Sequence, residues 1–219
     1  MTVTEIVADQ PLSGRVALVT GAAQVVGRAC ALALARAGCH VAACDDDGAH
    51  DGALAETAAM CARESGRAQA FRADVTNADD VERLWVAITA ALGAPHVLVN
   101  GAGVSPPRLL GEITPVEWRA AVRGHLDAAF YCARAVLPAM RAAGFGRILN
   151  VARPPTGEPL VSLARTLAEE EAAHGITVNA IVAGNVRPEE IARVVAFLAS
   201  PASESITGAR IRVGSDAQS

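Results

Sequence analysis

Lysine is absent from this chain: all 19 basic residues are arginine. Any mechanism that needs an ammonium side chain is therefore excluded. Tyrosine occurs once, at Tyr131, and aromatic residues make up 3% of the chain, so the core has to be built from Ala, Val, Leu and Ile. No apolar run is long enough to cross a bilayer. The opening residues, MTVTEIVADQPLSG, lack the basic start and apolar block of a signal peptide. Residues 1–13 read as a short arm before the fold, and the expectation is a cytoplasmic protein with no membrane partner. A net charge of −4 without a basic cluster gives no reason to expect nucleic acid. Cys30, Cys39, Cys44, Cys61 and Cys132 lie in or beside apolar stretches without CxxC spacing, which suits small buried hydrophobes in a reducing compartment. The five histidines are scattered singly, so the sequence offers no metal site.

What the chain does have is a regular alternation. Apolar residues reach 52% of its 219 positions, enough for one sizeable core and too few residues for two comfortable ones. From Arg15 onward, short β-branched runs (RVALV, CHVAAC, AQAFRADV, HVLVN, GRILNV, GITVNAIVAG, ARIRVG) alternate with helical patterns. The helix opening at TPVEW is the best marked, with Thr114 as cap, Pro115 in the first helical position and Glu117 completing a capping box. It is expected to run to about Gly144. Strands alternating with amphipathic helices imply βαβ units and a parallel sheet covered on both faces. No linker or composition shift divides residues 14–219, so they form a single α/β domain.

The segments GRVALVTGAA, RADVTNADDVERL, HVLVNGAG, TPVEW, ARAVLPAMRAAGFGRILNV, GITVNAI and PEEIARVVAFLASPAS…ITG together resemble the short-chain dehydrogenase/reductase family. The likeness is greatest to its 3-oxoacyl-carrier-protein-reductase-like branch and covers residues 14–213. It implies a doubly wound Rossmann sheet of order 3-2-1-4-5-6-7 and a dinucleotide cofactor. The family's TGxxxGxG turn stands here as Thr20-Gly21-Ala22-Ala23-Gln24-Val25-Val26-Gly27, with Val25 in place of the middle glycine. Glycine there brings the backbone close to the pyrophosphate, whereas a β-branched side chain adds bulk and disfavours positive φ. Asp45 follows the second strand, where the family places an acid that hydrogen-bonds the ribose and selects NAD over NADP. The run of acids around it also reads as a solvated turn. Asp74 and Val75 match the adenine-contacting pair. Asn100-Gly101-Ala102-Gly103 stands for the NNAG motif, with Gly101 replacing an asparagine that steadies the central strands. The resemblance thus assigns Gly21, Gln24, Val25, Gly27, Asp45, Asp74, Val75, Asn100 and Gly101 to NAD, held more weakly than usual.

The catalytic half departs further. In the family an asparagine, a serine, a tyrosine and a lysine form the proton-transfer site. Here His125 aligns with the asparagine and Arg153 with the serine, and the helix that should open with Tyr-x-x-x-Lys resumes near Leu160. The segment between is too short for that motif, and the helix after the fifth strand is read as truncated. After the sixth strand, Ala183-Gly184-Asn185-Val186-Arg187 runs almost directly into a helix at Pro188, so the substrate lid is truncated too. Tyr131, beside Phe130 on the long helix, reads as a packing residue. The leading expectation from these losses is a degenerate member that no longer transfers hydride and acts as a structural, regulatory or dinucleotide-sensing subunit. A non-redox enzyme is a second reading, with His125 and Arg153 binding an anion or doing acid/base work. Asp127, two positions from His125, does not share its helical face. A third is an NAD-dependent oxidoreductase with a replacement acid and a replacement ribose clamp. The long helix and the helix after Leu160 build the family's subunit interface. The expected partners are therefore a second copy in a dimer or tetramer, an active paralogue, and a small-molecule ligand.

Overall fold

Apolar runs flanked by small-residue turns are the signature of strands buried on both faces, and the sheet is built from them. The computed structural model describes residues 10–46, 52–103, 110–152 and 158–215. Seven strands, β1 (Val16–Thr20), β2 (His40–Asp45), β3 (Ala68–Arg72), β4 (Val97–Asn100), β5 (Gly146–Ala152), β6 (Ile176–Ala183) and β7 (Arg210–Val213), pair in the order β3-β2-β1-β4-β5-β6-β7. All pairings are parallel. This is the doubly wound order expected, and the reversal between β1 and β4 opens a crevice at the carboxyl edge.

The helices are α1 (Val25–Arg36), α2 (Ala53–Ser65), α3 (Ala78–Leu92), α4 (Pro115–Val122), α5 (Ala128–Ala143), α6 (Pro159–Glu171) and α7 (Pro188–Ala199). Side chains alternate across each strand, so Ala17 and Val19 face one layer while Val16 and Leu18 face the other. The first layer holds α1, α2 and α7 through Leu34, Cys61, Val195 and Leu198. The second holds α3, α5 and α6 through Ile88, Val136, Met140 and Ala164. Of the stretch read as an arm, residues 1–9 lie outside the described structure, and Leu12 is buried in the first layer with its N–H donated to Ala37 O at 3.0 Å.

Local rules account for the helix ends. Thr114 and Glu117 form the capping box, with Glu117 N–H donated to Thr114 Oγ1 at 3.2 Å and Thr114 N–H to Glu117 Oε2 at 2.9 Å. Asn77 caps α3 by accepting from Asp79 and Asp80 N–H. The long helix from Pro115 does reach Ala143, but a π-helical turn, Arg123–Asp127, interrupts it between α4 and α5. At its far end Arg141 grips the fully buried carboxylate of Glu171 with two nitrogens, one at 2.8 Å, tying α5 to α6. Among the described residues no helix is long and apolar enough to cross a membrane.

Candidate active site

Three glycines bring the turn after β1 against the turn after β4. Gly21 has φ +68°, and a Cβ there would stand 2.6 Å from Gly101 O. One on Gly27 would run into Gly21 O, and one on Gly101 would stand 2.8 Å from Thr20 O. Thr20 Oγ1 joins the same contact by accepting from Gly101 N–H and Ala102 N–H, both at 3.1 Å. Gly101 is therefore more than a lost asparagine, because this close approach leaves no room for a side chain. Asn100 reaches across to the facing residue of β5, donating Nδ2–H to Asn150 Oδ1 at 2.8 Å.

Above these turns lies a cleft of about 940 Å³. Of the residues assigned to a cofactor, Gly21, Gln24, Val25, Asp45, Asp74 and Val75 line it, while Gly27, Asn100 and Gly101 lie behind the wall. Val25 is the first residue of α1 and helical, and Gln10 is the sole non-glycine with positive φ among the described residues. The expected backbone strain at Val25 is thus absent. What remains is its bulk, with a side chain 72% exposed on the cleft wall. Gln24 gives no side-chain cap to α1, so the first-turn amides, which lack intrahelical partners by geometry, present the positive end of the helix to the cleft.

Asp45 ends β2 with its carboxylate turned towards the glycine turn. Oδ2 accepts from Ala23 N–H at 2.8 Å and Oδ1 from Asp46 N–H at 3.0 Å. Asp74 Oδ1 accepts from Thr76 N–H at 2.9 Å and Thr76 Oγ1–H at 2.7 Å, which fixes the loop carrying the buried Val75. Arg28 also lines the cleft, but its Nε donates to Thr57 Oγ1 at 3.1 Å and its Nη2 lies 2.9 Å from Glu56. These polar and helix-terminal groups fit the adenosine and pyrophosphate of a dinucleotide. Gly103 and Gly124 also line the cleft, packed close together, with a Cβ on Gly124 3.4 Å from Gly103 Cα. Arg28 and Glu189 line it too, although the resemblance assigned neither of them a role.

His125 sits in the π-helical turn, 3% exposed, with Nδ1 2.8 Å from Ala121 O. A carbonyl can only accept, so Nδ1 carries the hydrogen of that bond. The Nε2 edge packs on Gly103, where an added Cβ would be 2.7 Å away. Arg153 lies outside the described residues. Tyr131 is half-buried in the second layer, its ring 5.6 Å from that of Phe130, and it is not on the cleft wall. All five cysteines are buried and free. Burial pushes the thiols of Cys30, Cys39, Cys61 and Cys132 up to about 12 and Cys44 well above its usual range, which leaves none poised as a nucleophile.

Known proteins with similar sequences or folds bear on what such a cleft does. A 3-oxoacyl-[acyl-carrier-protein] reductase of Synechocystis sp. is 32% identical, over 92% of this chain and 96% of that one. An acetoacetyl-CoA reductase of Shinella zoogloeoides is 32% identical over 90% of this chain and 95% of that one. A solved Burkholderia xenovorans chain, named for the short-chain dehydrogenases/reductases, superposes with a TM-score of 0.85 at 28% identity, covering 93% of this chain and 96% of its own. The alignment with the Synechocystis reductase runs over 241 positions, more than the 219 residues of this chain, so this chain is the shorter within the matched region.

These relatives overturn the expectation of a degenerate structural, regulatory or sensing subunit. Chains a third identical across nearly the whole length are named as reductases, and they point to an NAD(P)-dependent oxidoreductase. Shortened segments around the site are local, whereas the likeness to these reductases spans the whole fold. With the short chain dehydrogenase pattern matching residues 15–157 and these relatives alongside, the chain belongs to the short chain dehydrogenase family, whose members bind NAD(P).

Proposed function

We propose that this chain is an NAD(P)-dependent oxidoreductase that interconverts a small carbonyl compound and its secondary alcohol, with 3-oxoacyl thioesters as the substrate class. The observation that carries the reading is the match over 92% of the chain to a relative named as a 3-oxoacyl reductase, on a fold with an open dinucleotide cleft. Asp45 favours NAD over NADP, since its carboxylate accepts from ribose hydroxyls and repels a phosphate in their place. Val25 weakens the grip on the pyrophosphate by bulk.

When bound, the cofactor supplies or takes up the hydride at the carbonyl carbon. The chain's own groups have to manage the proton on the carbonyl oxygen, with no lysine anywhere and Tyr131 away from the cleft. We assign that task to His125, buried directly behind Gly103 of the cleft wall, and, on the family resemblance alone, the anionic part of the substrate to Arg153. The protein is read as cytoplasmic and self-associating.

The test is NADH consumption by the purified protein with acetoacetyl-CoA, followed against a boiled control. Turnover above the control supports the reading, and none with either NADH or NADPH removes it. If there is turnover, His125→Ala is expected to lower kcat by a factor on the order of 10² or more while the fold is kept. Unchanged kcat removes His125 from the mechanism and leaves the oxidoreductase reading in place.

A further inference from the structure

The strands of a parallel sheet all start at one edge, and here that edge gathers positive charge. Arg15 stands immediately before β1 and Phe145 before β5, while Arg147 and Thr177 are the second residues of β5 and β6. The guanidinium carbons of Arg15 and Arg147 lie 4.1 Å and 4.2 Å from the centre of the Phe145 ring, which brings the two cations together. Neither forms an ion pair with a described residue. Burial pulls the pKa of Arg147 down, the charge of Glu204 opposes this from a distance, and the charge of Arg15 adds to it.

Arg147 is 3% exposed and uses only one side of its guanidinium. Nη1 donates to Gly146 O at 2.8 Å and to Gly175 O at 3.1 Å. Nε is buried without a partner, and Nη2 has none among the described residues. The N–H bonds of Nε and Nη2 run parallel and form the fork that grips two oxygens of a carboxylate or phosphate. Thr177, 4% exposed, faces Arg147 in the β5–β6 register, and its Oγ1 is likewise buried without a partner. Ile148 and Val178, one position on, face the second layer, so Arg147 and Thr177 both point to the first. Each unused group here can donate a hydrogen bond, and two of them carry positive charge.

We propose that this edge is a second ligand site, for a small oxyanion of phosphate type. The Arg147 fork and the Thr177 hydroxyl donate to its oxygens, and Arg15 supplies the second positive charge. The site lies at the opposite edge of the sheet from the cofactor cleft and does not depend on the cofactor reading.

The experiment is calorimetric titration of the full chain with inorganic phosphate, in chloride buffer of constant ionic strength so that general screening is the same throughout. The wild type is expected to bind. Arg15→Gln is expected to weaken binding about tenfold, and Arg147→Lys, which keeps a charge and loses the fork, by more. Thr177→Val, of the same shape, should weaken it several-fold. Its melting temperature without phosphate should be no lower than that of the wild type, because an unpartnered hydroxyl is removed. Arg147→Lys also gives up two carbonyl contacts. Melts in phosphate-free buffer check its folding, and Arg15→Gln, whose side chain holds no hydrogen bond among the described residues, decides the matter if that variant does not fold. A wild type that does not bind phosphate overturns the site. So does unchanged affinity in Arg15→Gln or Thr177→Val, and so does binding that saturating ADP abolishes, which puts the anion in the cofactor cleft instead.

Discussion

Gly101 stands where the family carries an asparagine, and its surroundings account for the exchange. Thr20 O lies 2.8 Å from where its Cβ would be, and its N–H is bonded to Thr20 Oγ1. Restoring the family residue is expected to harm this protein: Gly101→Asn should cost about 1–3 kcal/mol by forcing the two turns apart. Urea unfolding of the variant measures it, and wild-type stability would show that the turns yield freely. Val25 makes the opposite case, because its side chain meets open cleft rather than backbone. Val25→Gly is expected to tighten NADH binding several-fold, against a helix-propensity cost of up to about 1 kcal/mol. An unchanged affinity would mean that the phosphates pass clear of this position. The residue types of the glycine turn were legible in the sequence, as were Asp45 and Asp74. The close approach of Gly101 was not, because it depends on a strand 80 residues away in the chain, as the bond from Gly101 N–H to Thr20, 81 positions back, shows.

At the level of elements, the capping box at Thr114 and the proline starts of α4 and α7 could be read directly, since each is a local pattern. The π-helical turn at Arg123–Asp127 could not, as an extra residue in a helical turn leaves no period to detect. It matters because it carries His125 to Gly103. The pairing of α5 with α6 through Arg141 and Glu171 was also hidden, being a contact between helices. Hydrogen bonding from Arg141 holds the Glu171 carboxyl below the ordinary carboxylate range against the opposing effect of burial. A carboxylate whose folded value is depressed contributes stability above its unfolded value of about 4.3 and loses it as pH falls through the lower folded value. Glu171→Gln is therefore expected to lower stability at neutral pH and to flatten its decline in acid. Parallel stability curves of the two proteins between pH 7 and pH 3 would show that the pair contributes nothing to the acid limb.

Over the whole molecule, the strand order and the two helix layers followed from alternation and motif, because long-range order here is built from repeated local units. The wall of the cleft was less legible, since only the packing of α7 on α1 turns Glu189 into its lining. Val116, Trp118 and Phe130 are exposed on α4 and α5, 72%, 41% and 47% respectively, on the helices read as a subunit interface. Self-association is expected to bury them, so Trp118→Glu should shift the mass measured by light scattering towards the monomer. A wild type that is already monomeric at micromolar concentration would remove that expectation.

The passage from β6 to α7 across residues 184–187 has a kinetic consequence. That side of the cleft is closed by the start of a helix packed on α1, so moving it would break that packing. Ligands on this side enter and leave without waiting for a cover to open, so exchange there is set by diffusion and contact lifetime rather than by a slow gating motion. Turnover should then be governed by the chemical step, and kcat should hold constant as sucrose thickens the solvent.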